Sequence, residues 1–168
     1  MAGEWGALLK ATGSHVLRWL PGRVLRWQYP VRKCSEYLTV STHGVGPHIY
    51  VNAERSPAIA NLNLTLMNRL PFSVKVEGFH LEFSLESRAL TNREQAITET
   101  VPAGKILQIS VDEIHLSDGQ ARIVQELAND CPILNIAGHV SCASVVGEFK
   151  KHLQMDTRAF IYRGRDNR

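Results

Sequence analysis

The clearest pattern in the chain is alternation. Ala60, Leu62, Leu64 and Leu66 are set against Asn61, Asn63, Thr65 and Met67, and Phe79, Leu81, Phe83 and Leu85 against His80, Glu82 and Ser84. Successive side chains of a strand point to opposite faces, so a period of two predicts half-buried strands at 60–67 and 79–85. Asn68-Arg-Leu-Pro71 ends the first, Phe72–Val76 starts the next, and Glu77-Gly78 marks a bulge or bend. Shorter β-prone runs, Tyr37–Thr42 and His48–Asn52, flank the turn cluster Gly44-Val-Gly-Pro47. Ile97–Val101 and Lys105–Val111 read as strands joined by a hairpin-sized Pro102-Ala-Gly104. The last strands are expected at Ile133–Val146 and Glu148–Ile161, with Gly138 as a bend and Gly147 as a turn.

One helix interrupts this series. Ser117 or Asp118 can cap it, Ala121, Val124 and Leu127 recur at steps of three, and Asn129-Asp130 and Pro132 end it. Short strands at regular spacing with one helix predict a mainly β domain over 34–163. The expected form is an antiparallel sandwich of the immunoglobulin or fibronectin type III kind. Residues 164–168 are a polar tail, expected to fray.

The first 33 residues have a different period. Trp5, Leu8, Leu9, Val16, Trp19 and Leu20 keep to one face of a 3.6-residue helix. Pro21-Gly22 breaks it, and Arg23-Val-Leu-Arg-Trp27-Gln-Tyr29 resumes the mixture of bulky apolar and basic residues. All three tryptophans of the chain lie here. Indole rings and arginines suit a headgroup boundary, where each satisfies an apolar and a polar neighbour at once. The expected interface residues are Trp5, Leu8, Leu9, Val16, Arg18, Trp19, Leu20, Arg23, Arg26, Trp27, Tyr29, Arg32 and Lys33. The same stripe also fits packing on the body, a subunit contact, or a mitochondrial transit peptide.

Charge sharpens this division. Residues 1–33 carry six basic side chains against the single acid Glu4, and the remainder thirteen basic against fifteen acidic. The net charge of +3 is therefore a property of the N-terminal fifth, which seeks an anionic membrane surface. Nucleic acid is disfavoured, because the basic residues are few and the body is acidic. No run of 18 apolar residues predicts a membrane-crossing helix, and Lys10, His15 and Arg18 interrupt any secretory signal. The expected location is cytoplasmic and peripheral to a membrane.

Catalytic signatures are absent from the sequence. Cys34, Cys131 and Cys142 form no CxxC pair, although Cys131 and Cys142 could be neighbours in space. The seven histidines, His15, His43, His48, His80, His115, His139 and His152, show neither HxxxH nor HExxH spacing, so those on strands read as outward-facing or singly placed. No metal site, cofactor or catalytic residue is expected. The remote alternative is a hydrolase using Cys142 with His139, but alternation with Val140 makes Cys142 a buried structural thiol. Asp112-Glu113 and Asp118 lack the spacing of an EF-hand and read as a solvated loop.

The run Leu62-Asn-Leu-Thr-Leu-Met-Asn68-Arg-Leu-Pro71-Phe72-Ser-Val resembles the water-stress and hypersensitive-response domain of type-2 late-embryogenesis-abundant proteins. That family has an alternating strand, an asparagine, a proline and a new strand. Ile136-Ala-Gly138-His-Val with Gly147-Glu148-Phe149 is similar to its glycine-marked closing hairpin. The resemblance spans about residues 48–162, and departs from the family where Arg69 and Leu70 separate Asn68 from Pro71. It implies a fibronectin-like sandwich with a short helix between late strands, and a non-enzymatic domain often attached to membranes. The functional expectation is a non-catalytic module on a membrane surface that contacts a protein or lipid partner. A soluble interaction subunit or homo-oligomer is the alternative.

Overall fold

The structure, a computed structural model, describes residues 22–44, 46–52, 55–127 and 131–163. One layer is a four-stranded antiparallel sheet in the order β10-β9-β5-β6. Its strands are β5 (Val74–Leu85), β6 (Arg88–Val101), β9 (Ile133–Ser144) and β10 (Gly147–Arg158). The other layer consists of two smaller sheets. The first orders β1 (Leu38–Thr42), β4 (Asn63–Asn68) and β7 (Ile106–Ser110); the second orders β11 (Phe160–Arg163), β2 (His48–Asn52), β3 (Arg55–Ala60) and β8 (Ile114–His115).

The two smaller sheets follow from a crease. The chain runs from β1 to β2, from β3 to β4 and from β7 to β8 through short connections. Asn61, with φ of 58°, turns the β3–β4 path, and hydrogen bonds from His43 N and Val111 N to Asn63 O and Leu62 O tie neighbouring paths there. The alternation over 60–67 is thus split between two strands, although Leu62, Leu64 and Leu66 all remain buried. Asparagine suits the kink because its short polar side chain tolerates the left-handed region.

Between the layers lies one continuous core, in which Leu64, Leu66, Val74, Val76, Leu81, Leu85, Leu134 and Ile136 are fully buried. In β5 the inward positions shift phase, from Val74 and Val76 to Phe79, Leu81, Phe83 and Leu85. The pairing irregularity between Val76 and Gly78 absorbs the extra residue, so both halves face the core. Glu77-Gly78 is therefore a bulge inside one strand.

Several expectations need correction. β6 begins at Arg88 rather than Ile97, because an edge strand with only Leu90 and Val101 buried lacks an apolar alternation. Its charged positions also discourage edge-to-edge pairing. Pro102-Ala-Gly104 does not close a hairpin: β6 pairs with β5 and β7 with β4, so this link crosses between layers. Gly138 makes no bend. It stays within β9 at φ of 139°, where a Cβ would strike the backbone carbonyl oxygen of His80. The segment after Gly147 is not one strand either. Buried Ala159 ends β10, and β11 crosses to pair parallel with β2, an exception to the antiparallel rule.

The helix forms where its signals place it. α3 (Asp118–Glu126) lies between β8 and β9, the position implied by the family resemblance. Ser117 Oγ accepts from Gln120 N while Ser117 N donates to Gln120 Oε1, a reciprocal cap, and Ala121 and Val124 are buried. At the N-terminal side, α1 (Gly22–Gln28) and α2 (Val31–Cys34) close one end of the sandwich. Leu25 and Cys34 belong to the core, and the Tyr29 ring meets Tyr37 and Phe72 edge-on, each at 5.8 Å.

Candidate functional site

On the outer face of the four-stranded sheet, three histidines stand in one row. Antiparallel register places His80 of β5 opposite His139 of β9, and His139 opposite His152 of β10. The ring centroids are 5.7 Å apart for His80 and His139, with planes 28° from parallel, and 5.9 Å apart for His139 and His152. Glu94 of β6 continues the row opposite His80, and Glu82 Oε1 lies 3.4 Å from His80 Nε2. The row borders a shallow hollow of about 570 Å³, into which Ala137, Gly138 and Gln154 also face.

The histidines were expected singly, and the structure brings three together. Each occupies the outward phase of its own strand, which the sequence does show. What it lacks is register, because a one-residue slip in either pairing would move the partner to the opposite face. Partial burial at the centre of the row holds the His139 pKa below its ordinary value. Lys150, His80 and His152 push the same way, and Glu94 opposes them. These influences favour the neutral form of the His139 ring. Among the described residues, no three His, Cys, Asp or Glu side chains stand ready to hold a metal ion.

The remote hydrolase pairing fails on geometry. His139 faces outward on β9, whereas Cys142, three residues on, is buried on the inner face. Burial, with a contribution from the Glu77 carboxylate, pushes the Cys142 thiol up to about 12, so it carries almost no thiolate at neutral pH. Cys131 is exposed just before β9 and lies near the opposite end of that strand from Cys142; all three cysteines are free. Asp112 pairs with Arg93 at 3.2 Å.

The residues expected at a membrane interface fall partly outside the described residues. Trp5, Leu8, Leu9, Val16, Arg18, Trp19, Leu20 and the side chain of Arg23 lie outside the described residues. Trp27 is 86% exposed, Val24 and Arg26 are exposed beside it on α1, and Arg32 and Lys33 are exposed on α2. Tyr29 instead packs against the core. No described helix is long and apolar enough to cross a membrane.

A second aromatic group sits at the β2–β11 edge. Tyr50 and Tyr162 stack at 5.4 Å, and His48 meets Tyr162 at 5.1 Å and Phe160 at 5.8 Å, edge-on in both cases. Asn61 Nδ2 and His48 Nδ1, 2.9 Å apart, orient the imidazole. No local pattern signals this group, because it depends on β11 crossing between layers.

No family model matches the chain, and no curated protein does. Among solved structures, it is similar to a protein from Archaeoglobus fulgidus at 11% identity and a TM-score of 0.47, over 73% of this chain and 94% of that one. It is also similar to a protein from Arabidopsis thaliana, solved in solution, at 12% identity and a TM-score of 0.48, over 77% and 81%. These are likenesses of backbone arrangement.

Proposed function

We propose that the chain is a non-catalytic β-sandwich module, held at an anionic membrane surface through its N-terminal segment and contacting a protein or lipid partner through the exposed sandwich. The observation that carries this reading is the two-sidedness of α1. Leu25 anchors the helix in the core, while Trp27 is 86% exposed and shares the outer side with Val24, three residues away. Burying an aromatic side chain of this kind is worth about 1.5–3 kcal/mol, and a headgroup boundary offers that burial without desolvating the indole N–H. Arg26, Arg32 and Lys33 are exposed nearby in the chain, and each cation close to an anionic leaflet adds about 1 kcal/mol.

Co-sedimentation of the full chain with phosphatidylserine vesicles tests the proposal. Trp27→Ser is expected to weaken binding, and the combined Arg26→Glu, Arg32→Glu and Lys33→Glu variant to weaken it at least hundredfold, since reversing three cations removes about 3 kcal/mol or more. Unchanged pelleting of both variants would refute the membrane reading. If Trp27→Ser instead dissolves an oligomer of a protein that ignores vesicles, the exposed indole is a subunit contact.

A further inference from the structure

We propose that His80 and His139 form a surface site for a divalent transition-metal ion of the zinc, copper and nickel class. The first argument is spacing. With a metal–nitrogen bond of about 2.0–2.1 Å and roughly 1 Å more to each ring centre, two imidazoles sharing one ion stand about 5–6 Å apart. The observed separation of His80 and His139 is 5.7 Å. The rings already stand at bridging distance, on adjacent strands whose register is held by the sheet.

Orientation is the remaining difference. The planes are 28° from parallel, so the rings stack instead of aiming their nitrogens at a common point. The second side-chain torsion of histidine is broad, and both rings lie on the solvent side of the sheet, so turning them costs little. Small neighbours leave room, since Ala137 and Gly138 border the hollow beside the row.

Ligand chemistry agrees. Imidazole suits this class of ion and binds it in the neutral form. Glu82, 3.4 Å from His80 Nε2, is placed to accept that N–H while Nδ1 ligates. A carboxylate behind a ligating histidine orients the ring and raises its basicity. Glu82 and Glu94 favour a cation at the row, and Lys150 opposes it. Water completes the coordination, as expected where two protein ligands hold an ion at a surface.

His152 provides the internal control. It is 5.9 Å from His139 but tilted by 52°, and it stands on the edge strand of the sheet. Isothermal titration of the full chain with zinc chloride at pH 7.5 decides the matter. Wild type is expected to bind one ion at the row. His139→Gln and His80→Gln should each weaken that binding at least tenfold, Glu82→Gln by about tenfold or less, and His152→Gln by less than threefold. Amide shifts on zinc addition should centre on residues 79–81 and 138–140. Exposed Cys131 is present in every variant, so any thiol contribution is common to all. The proposal is overturned by absence of binding to the wild type. Equal binding by wild type, His80→Gln and His139→Gln would also overturn it, as would a loss in His152→Gln matching that in His139→Gln.

Discussion

Asn68 is the one fully buried polar side chain among the described core residues, and replacing it tests the account of how the layers are joined. It ends β4. Its Nδ2 donates to Phe72 O at 2.9 Å, Val101 O at 3.0 Å and Pro102 O at 3.2 Å, and its Oδ1 accepts from Leu70 N at 2.9 Å. One amide therefore ties the turn into β5 to the link by which the chain crosses from β6 to β7. Asn68→Ala leaves the Leu70 N–H and the Phe72 and Val101 carbonyls without these partners. Each orphaned buried group costs about 1–3 kcal/mol, and carbonyls with a second lone pair fall at the low end, so the expected loss is about 3–5 kcal/mol. That is a large part of the roughly 5–15 kcal/mol that holds a domain together. In urea, at a slope of about 2 kcal/mol per molar, the midpoint should fall by roughly 2 M with the slope unchanged. Asn68→Asp should be worse at neutral pH. It keeps an acceptor for Leu70 N but turns a carboxylate oxygen, which cannot donate, toward three carbonyls. A loss below about 1 kcal/mol in the alanine variant, or wild-type stability in the aspartate variant, would refute the clamp.

Thiol labelling probes burial directly. At pH 8 in the native protein a disulfide-exchange reagent should modify Cys131 at once, and Cys34 and Cys142 only on unfolding, because both are buried and their thiols titrate above the ordinary range. A second fast thiol in the native state would contradict the packing of α2 or β9. The histidine row makes a prediction about pH. Since the folded-state pKa of His139 lies below the ordinary 6.5, the unfolded chain takes up this proton at a higher pH than the folded one. Its stabilising contribution is complete above the unfolded value and is lost as pH falls through the folded one. Melting temperatures at pH 7.5 and pH 5 should therefore drop further for wild type than for His139→Gln. Equal drops would mean that the row does not perturb His139.

Much of the fold is legible in the sequence, for a physical reason. Strict alternation at 79–85 and over Leu62, Leu64 and Leu66 needs no tertiary information, because a strand with one buried face must alternate; the kink at Asn61, which puts Ala60 on a different strand, leaves that pattern unbroken and was not legible. The Glu77-Gly78 bulge was legible in the same way, since the inward phase visibly slips between Val76 and Phe79. Ser117 or Asp118 ahead of Ala121, Val124 and Leu127 signalled the helix through local pattern alone, and the structure adds that Gln120 completes the cap on Ser117. β6 was only partly legible, because an edge strand is not required to alternate. The division of charge between the first 33 residues and the rest was also plain from the sequence.

Tertiary structure decided whatever depends on register and on crossings between layers. The sequence placed His80, His139 and His152 on three separate strands, and only the pairing of β5, β9 and β10 set them side by side. Asn68 read as the end of a strand, and only the passage of Pro102-Ala-Gly104 overhead made it a clamp. The parallel addition of β11 to β2 assembled the aromatic edge from residues more than a hundred positions apart. Local patterns constrain which face a side chain takes, since that is a property of one strand. Which side chains share that face is set by partners distant in sequence, whose alignment depends on the packing of the whole core.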